Sequence, residues 1–176
     1  MKIPSVFSTL LLFAAIPARS EVSPIHMDIE QVSKTEAKSK APTKGPPPGD
    51  KVQVRSLAVK LLNNSSESFD NLIVKYWFFG HAMTEHEPVP MKNGNGELKA
   101  ALGPRGRLTV DIPPFSSTYV EAHTEGGGKG KSKKVPASGD KITGYAVQVL
   151  NGEKILAENY SEGSYKAKIA ANPKAK

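Results

Sequence analysis

Three groups of residues combine types and spacing that could do chemistry. Gly126-Gly127-Gly128-Lys129-Gly130-Lys131-Ser132 looks like a phosphate-cradling loop, in which backbone N–H groups and a lysine hold the phosphates. The spacing fails. With Gly130-Lys131-Ser132 as its end, the opening glycine falls at Glu125, whose carboxylate repels phosphate, and Lys133-Lys134-Val135-Pro136 follows where a helix should begin. No nucleotide is expected to bind, and residues 126–141 read as a flexible basic loop between two strands. Lys129, Lys131, Lys133 and Lys134 keep one role open, because a mobile cationic loop attracts polyanions by counterion release. Outside the cell that polyanion would be an anionic polysaccharide, with nucleic acid disfavoured.

His81, Glu85, His86 and Glu87 lie close together and invite a metal reading. A helical ligand pair needs i, i+4 spacing, whereas His81 and His86 are five apart in a segment bounded by Pro88 and Pro90, so no metal and no other cofactor is expected. Nothing marks Asp70, Asp111 or any serine as part of a nucleophile, base and orienter set, and the chain contains no cysteine to supply a thiolate. An enzyme is disfavoured. Tyr76-Trp77-Phe78-Phe79 is the densest aromatic run; two of the four must point to each side of a strand, so one pair fills a core and the other could stack on a sugar ring. Trp77, with Tyr119, is the candidate for such stacking.

The elements that must position these groups begin after a leader. Met1-Lys2 is positive, Ile3 to Ile16 is largely apolar, and Pro17-Ala18-Arg19-Ser20 places small residues at the first and third positions before Glu21. This is the pattern of a signal peptide cleaved between Ser20 and Glu21. The protein is therefore expected to be exported, periplasmic or secreted. No later stretch has the ~20 consecutive apolar residues of a transmembrane helix. Of 24 Lys and Arg against 17 Asp and Glu, Lys2 and Arg19 belong to the leader, and the remaining excess gathers in the 126–141 loop and after Glu162. The body is near neutral, so basic character belongs to a loop and a tail.

Short alternating segments then follow. Ile25 to Glu30 reads as an edge-like strand, and Pro46-Pro47-Pro48-Gly49 closes a linker with no periodicity. Val52 and Val54 alternate, but Leu57, Val59 and Leu61 continue with the opposite parity, which predicts a bulge near Arg55-Ser56. Asn63-Asn64-Ser65-Ser66 is turn chemistry, and Leu72 to Phe79, apolar on both faces, reads as a central strand. Gly80 to Gly96 looks irregular and is expected to cross between sheets. Leu98 to Leu102, Leu108 to Ile112 and Thr118 to His123 read as further short strands, the second stopped by Pro113-Pro114. Asn151-Gly152 predicts a hairpin, with a three-residue loop, Gly152 left-handed, and Val149 opposite Ile155. With no crossover helices, the fold class is an all-β, immunoglobulin-like antiparallel β-sandwich of about seven or eight strands.

Val59-Lys60-Leu61-Leu62-Asn63-Asn64-Ser65, followed by Phe69-Asp70-Asn71-Leu72-Ile73-Val74-Lys75-Tyr76-Trp77-Phe78, resembles the second and third strands of exported bacterial immunoglobulin-like sandwiches. Over the same residues 59–78 it is similar to some cellulose-binding modules. The organisation expected is a signal peptide (1–20), an N-terminal strand (21–35), a Pro/Lys/Gly-rich linker (36–50), a β-sandwich domain (51–165) and a disordered basic tail (166–176). The expected function is a non-enzymatic binding or structural domain of the cell envelope, with a protein or anionic polysaccharide as partner. The alternative implied by the resemblance is a carbohydrate-binding module using aromatics around Trp77.

Overall fold

Strand β2 (Lys51–Asn63) sets the architecture, because its burial alternates without a break from Gln53 to Asn63. Every odd-numbered residue in that span faces inward and every even-numbered one faces out. The computed structural model describes residues 23–37, 51–125 and 133–171. Within them β1 (Ile25–Ala37) and β5 (Arg107–Val120) flank β2, both antiparallel to it. Facing this first sheet is a second, in which β3 (Phe69–Ala82) lies between β4 (Val89–Leu102) and β8 (Ser138–Asn151), with β9 (Lys154–Tyr160) outside β8. The two halves are hydrogen-bonded into one path where the start of β8 pairs with the end of β5, at Tyr119–Gly139 and Val120–Ser138. Gly139 has a φ of 80° at this corner, and a Cβ there would strike the backbone of Thr118 and Tyr119. A short hairpin of β6 (His123–Glu125) and β7 (Lys133–Val135) stands apart, and one helix, α1 (Tyr165–Ala171), ends the described chain. The all-β, antiparallel class expected from the sequence is what forms.

Two apolar clusters hold it together. The main core lies between the sheets and includes Leu57, Val59, Leu61, Leu72, Val74, Phe78, Ile112, Val147 and Val149. Removing such side chains from water is the dominant favourable term in folding a chain with no disulfide. The second cluster is on the outer face of the second sheet, where Trp77, Phe79 and Ala146 are covered by Tyr165 of α1. Tyr165 stacks on Phe79 with ring centroids 4.0 Å apart. A helix of seven residues is too short to persist by propensity, so this packing is what forms it.

The structure corrects several expectations. The bulge falls between Arg55 and Leu57, at Ser56, but its extra residue is on β5: Leu57 pairs with Ile112 and Arg55 with Phe115, leaving Pro113-Pro114 outside the ladder. The same pairing explains why those prolines do not end the strand, since β5 meets β8 only at Tyr119 and Val120 and the prolines owe no hydrogen bond on either edge. Leu108–Ile112 and Thr118–Val120 are thus parts of one strand. Gly80 to Gly96 does not cross between sheets; β3 continues to Ala82 and β4 starts at Val89 beside it. In the last hairpin Asn151 pairs with Lys154 around a two-residue loop, and a shift after Leu150 places Val149 opposite Ala157. Gly152 is left-handed, with a φ of 60°. The N-terminal strand is longer than expected and pairs with β2 along its whole length, so it is an integral part of the first sheet. Ser138 to Lys141 belong to β8, and the tail expected to be disordered starts as α1. Residues 38–50 of the linker and the leader lie outside the described residues.

Candidate functional site

Burial falls steadily along the inward face of β1. Its inward positions face the same side as their β2 partners, and run from buried Ile25, through half-buried Met27 and Ile29, to exposed Gln31, Ser33 and Thr35. At the buried end the Ser23 hydroxyl hydrogen-bonds to the carbonyl of Leu156, drawing the start of β1 against β9. β9 itself stops at Tyr160, opposite Ala146. Beyond that point β8 has no strand partner on its outer edge among the described residues until it reaches β5.

Side chains occupy that edge instead. Gln53 donates from Nε2 to the carbonyl of Ile142 (3.1 Å) and accepts the Ile142 N–H on Oε1 (3.0 Å), which reproduces a strand pairing with one amide side chain. Ser117 donates to the carbonyl of Asp140 (2.7 Å). Ser161 accepts the N–H of Tyr145 on its hydroxyl (2.8 Å) and donates its own N–H to the Tyr145 carbonyl (3.0 Å). These contacts satisfy main-chain groups that would otherwise invite another strand.

Arg55 lies in the same region, on the inward face between Gln53 and Leu57 and opposite Ser33 and Phe115. Only 8% of its surface is exposed, and its Nε is buried without a hydrogen-bond partner among the described residues. Burial pushes its pKa below the ordinary arginine value, and the negative charge of Tyr165 and Tyr145, once ionised, acts in the opposite sense. Burial also raises Tyr145, with the carboxylate of Asp28 adding to the effect. Two further cations stand at this end: Lys51 and Lys141 place their ammonium groups 6.0 and 5.7 Å from the ring centre of Tyr119. Lys51 pairs with Glu121 at 2.7 Å, and that hydrogen bond holds its pKa up.

The residues singled out in the sequence are placed differently. Trp77 is 8% exposed beneath α1 and Tyr119 is 5% exposed beneath two lysines, so neither presents a free face for stacking a sugar. The reason is the helix, whose Tyr165 covers the outer face that the aromatic run presents. Lys133 and Lys134 are exposed on β7, opposite Glu125 and Thr124. Lys129 and Lys131 lie outside the described residues, as do Ser20 and Glu21. His81 contacts the carbonyl of Ala82 through Nδ1, and Glu87 accepts a hydrogen bond from Lys168 of α1. No group of three His, Asp or Glu among the described residues could hold a metal ion. No helix among them is long and apolar enough to cross a membrane.

Sequence reasoning missed Gln53, Arg55 and Asn63, the buried polar residues of β2. Their signal was the unbroken odd parity shared with Leu57, Val59 and Leu61, which the valines at 52 and 54 obscured.

No family model matches the chain, and no curated protein does either. Among solved structures it is similar to a crystal structure from Akkermansia muciniphila, with a TM-score of 0.35 and 15% identity over 78% of this chain and 70% of that one.

Proposed function

We propose that this chain is an exported, non-enzymatic immunoglobulin-like domain that binds or bridges components of the cell envelope. The observation that carries the reading is the strand order. Strands β1-β2-β5 face β4-β3-β8-β9, an order that supports reading the sandwich as immunoglobulin-like, a scaffold used widely for binding. Met1 to Ser20, with its short apolar run and small-residue end, supplies the export element of the reading. The sugar-stacking alternative loses its main support with Trp77 covered by α1.

The test is expression of the full chain with a C-terminal tag in a bacterial host, followed by fractionation and N-terminal sequencing. A mature protein starting at Glu21 in the exported fraction, co-isolating with an envelope protein or polysaccharide, is the expected result. Retention of Met1 on a cytoplasmic product would overturn it.

A further inference from the structure

The geometry points to a self-association surface: the second half of β4 pairs edge to edge with β4 of a second copy of this chain, antiparallel and centred on Leu98. This goes beyond the envelope role, since such a pairing stands whether or not the chain is exported.

The edges of the sandwich decide where a strand can be added. A strand edge with free main-chain groups is a template for another strand, and most edges here are closed or blunted. The start of β1 is drawn onto β9 by Ser23. β5 carries Pro113-Pro114, which have no N–H to offer. β4 ends the sheet path and pairs only with β3. Its first half is irregular, with the ladder shifted between Trp77 and Phe79 and Asn93 at a φ of 62°. From Asn95 to Ala100 the ladder runs without a shift, and residues 96–102 make no main-chain hydrogen bond to any strand or loop but β3 among the described residues. Beside this stretch lies an open hollow of about 510 Å³, lined by Asp70, Asn71, Ile73, Lys99 and Ala101.

The order of charges selects the occupant. Glu97 and Lys99 are exposed on the outer face, on either side of half-buried Leu98, and neither has a hydrogen bond or an ion pair among the described residues. Two copies of β4 run antiparallel about Leu98 set Glu97 of each opposite Lys99 of the other, with Cβ atoms about 5 Å apart. Leu98 then meets Leu98, and Gly96 meets Ala100. Lys75 is opposite Glu97 within the chain, so Glu97 comes to lie between Lys75 and Lys99 of the second copy. A slip of one residue sets outward side chains against inward ones. A slip of two sets Lys99 against Lys99 or Glu97 against Glu97, and like charges directly opposite are destabilising. The strand that matches this order of charges is β4 itself. β1 has a similar alternation at Lys34 and Glu36 around Thr35, but that strand ends at Ala37, so a ladder centred there is cut short.

A short edge pairing belongs to the weak, transient class of interface. The test is therefore sedimentation velocity of the full chain at low ionic strength, up to about 1 mM protein. Glu97→Lys, Lys99→Glu, the double reversal and, as a control, Lys34→Glu are compared with the parent; the substituted positions are all exposed, so each variant should keep its fold. The expected result is a monomer–dimer equilibrium that either single reversal at 97 or 99 weakens about tenfold or more. The double reversal should regain most of it, and so should a mixture of the two single variants, because each then supplies the charge the other lacks. Lys34→Glu should associate like the parent. A chain that stays monomeric throughout, an association indifferent to the charges at 97 and 99, or one that fails to return on mixing would each overturn the proposal.

Discussion

The amide of Gln53 and the main chain of Ile142, 89 residues apart, exchange two hydrogen bonds in the interior. One side chain thereby does the work of a neighbouring strand at the point where β8 has left β5 and has not yet met β9. Gln53→Leu preserves volume and leaves both groups of Ile142 without a partner. Each buried unsatisfied group costs about 1–3 kcal/mol, so the substitution is expected to destabilise by roughly 2–5 kcal/mol in urea unfolding. A loss under about 0.5 kcal/mol would show that water replaces the amide there.

Asn63 makes a comparable clip at the other end of β2. It is fully buried, donates to the carbonyls of Glu67 (2.7 Å) and Gly103 (2.9 Å), and accepts from the N–H and hydroxyl of Ser65 (2.9 and 2.7 Å). Asn63→Asp keeps the acceptor and loses both donors, while Asn63→Ala loses everything. Both should destabilise by about 2–4 kcal/mol, with Asp no better than Ala, because a buried carboxylate would face two carbonyl oxygens. Equilibrium denaturation of the pair against the parent checks the order.

Asn63 also shows what the sequence could and could not reveal. The segment Asn63 to Ser66 was legible as a turn, and Leu57, Val59 and Leu61 were legible as one buried face. The same parity carried back to Arg55 and Gln53 was not, because two valines occupied the alternate positions and local pattern favours apolar residues inward. The partner that makes Gln53 a good interior residue, Ile142, is supplied only by the fold. Likewise Tyr165-Lys166-Ala167-Lys168 has no apolar repeat that announces a helix, and the surface that stabilises it, Trp77 and Phe79, lies far away in the sequence. Local chemistry therefore gave the strands and turns, while long-range partners decided the buried polar residues, the covered aromatics and the helix.

Gly139 should tolerate no side chain. Its positive φ is unfavourable for any L-residue, and a Cβ there meets backbone atoms of Thr118 and Tyr119, which cannot swing away. Gly139→Ala is expected to cost at least about 1–3 kcal/mol from strain alone. Gly152→Ala, also left-handed but with open space around its Cβ, should cost less. Thermal unfolding of the two variants side by side measures the difference.

A pH effect follows from Glu158, which accepts hydrogen bonds from Lys166 of α1 and from Tyr160. The Lys166 hydrogen bond holds the Glu158 carboxyl below its ordinary range, with Tyr160 adding and burial opposing. A depressed carboxylate contributes stability above its unfolded pKa of about 4.3 and loses it as pH falls through the folded value. Lys166 is exposed and Glu158 partly so, and solvent screening keeps the contribution of such a pair small. Glu158→Gln should therefore lower the melting temperature slightly near neutral pH, and the difference from the parent should shrink as pH falls below the ordinary carboxylate range and the parent loses the same interaction.

The second core offers a direct optical readout, because Trp77 is the sole tryptophan of the chain and Tyr165 covers its cluster. Tyr165→Ala removes the ring stacked on Phe79 and the hydroxyl contact with Thr143 at 3.2 Å. Large-to-small substitution of a buried aromatic costs about 3–5 kcal/mol when it is packed on all sides. Here the loss should fall on α1 first, since the helix has little stability of its own and the inter-sheet core does not depend on it. The variant is therefore expected to keep its β-sheet circular dichroism, shift Trp77 emission to the red and gain acrylamide quenching. Emission identical to the parent would mean that Trp77 is shielded by something other than the helix.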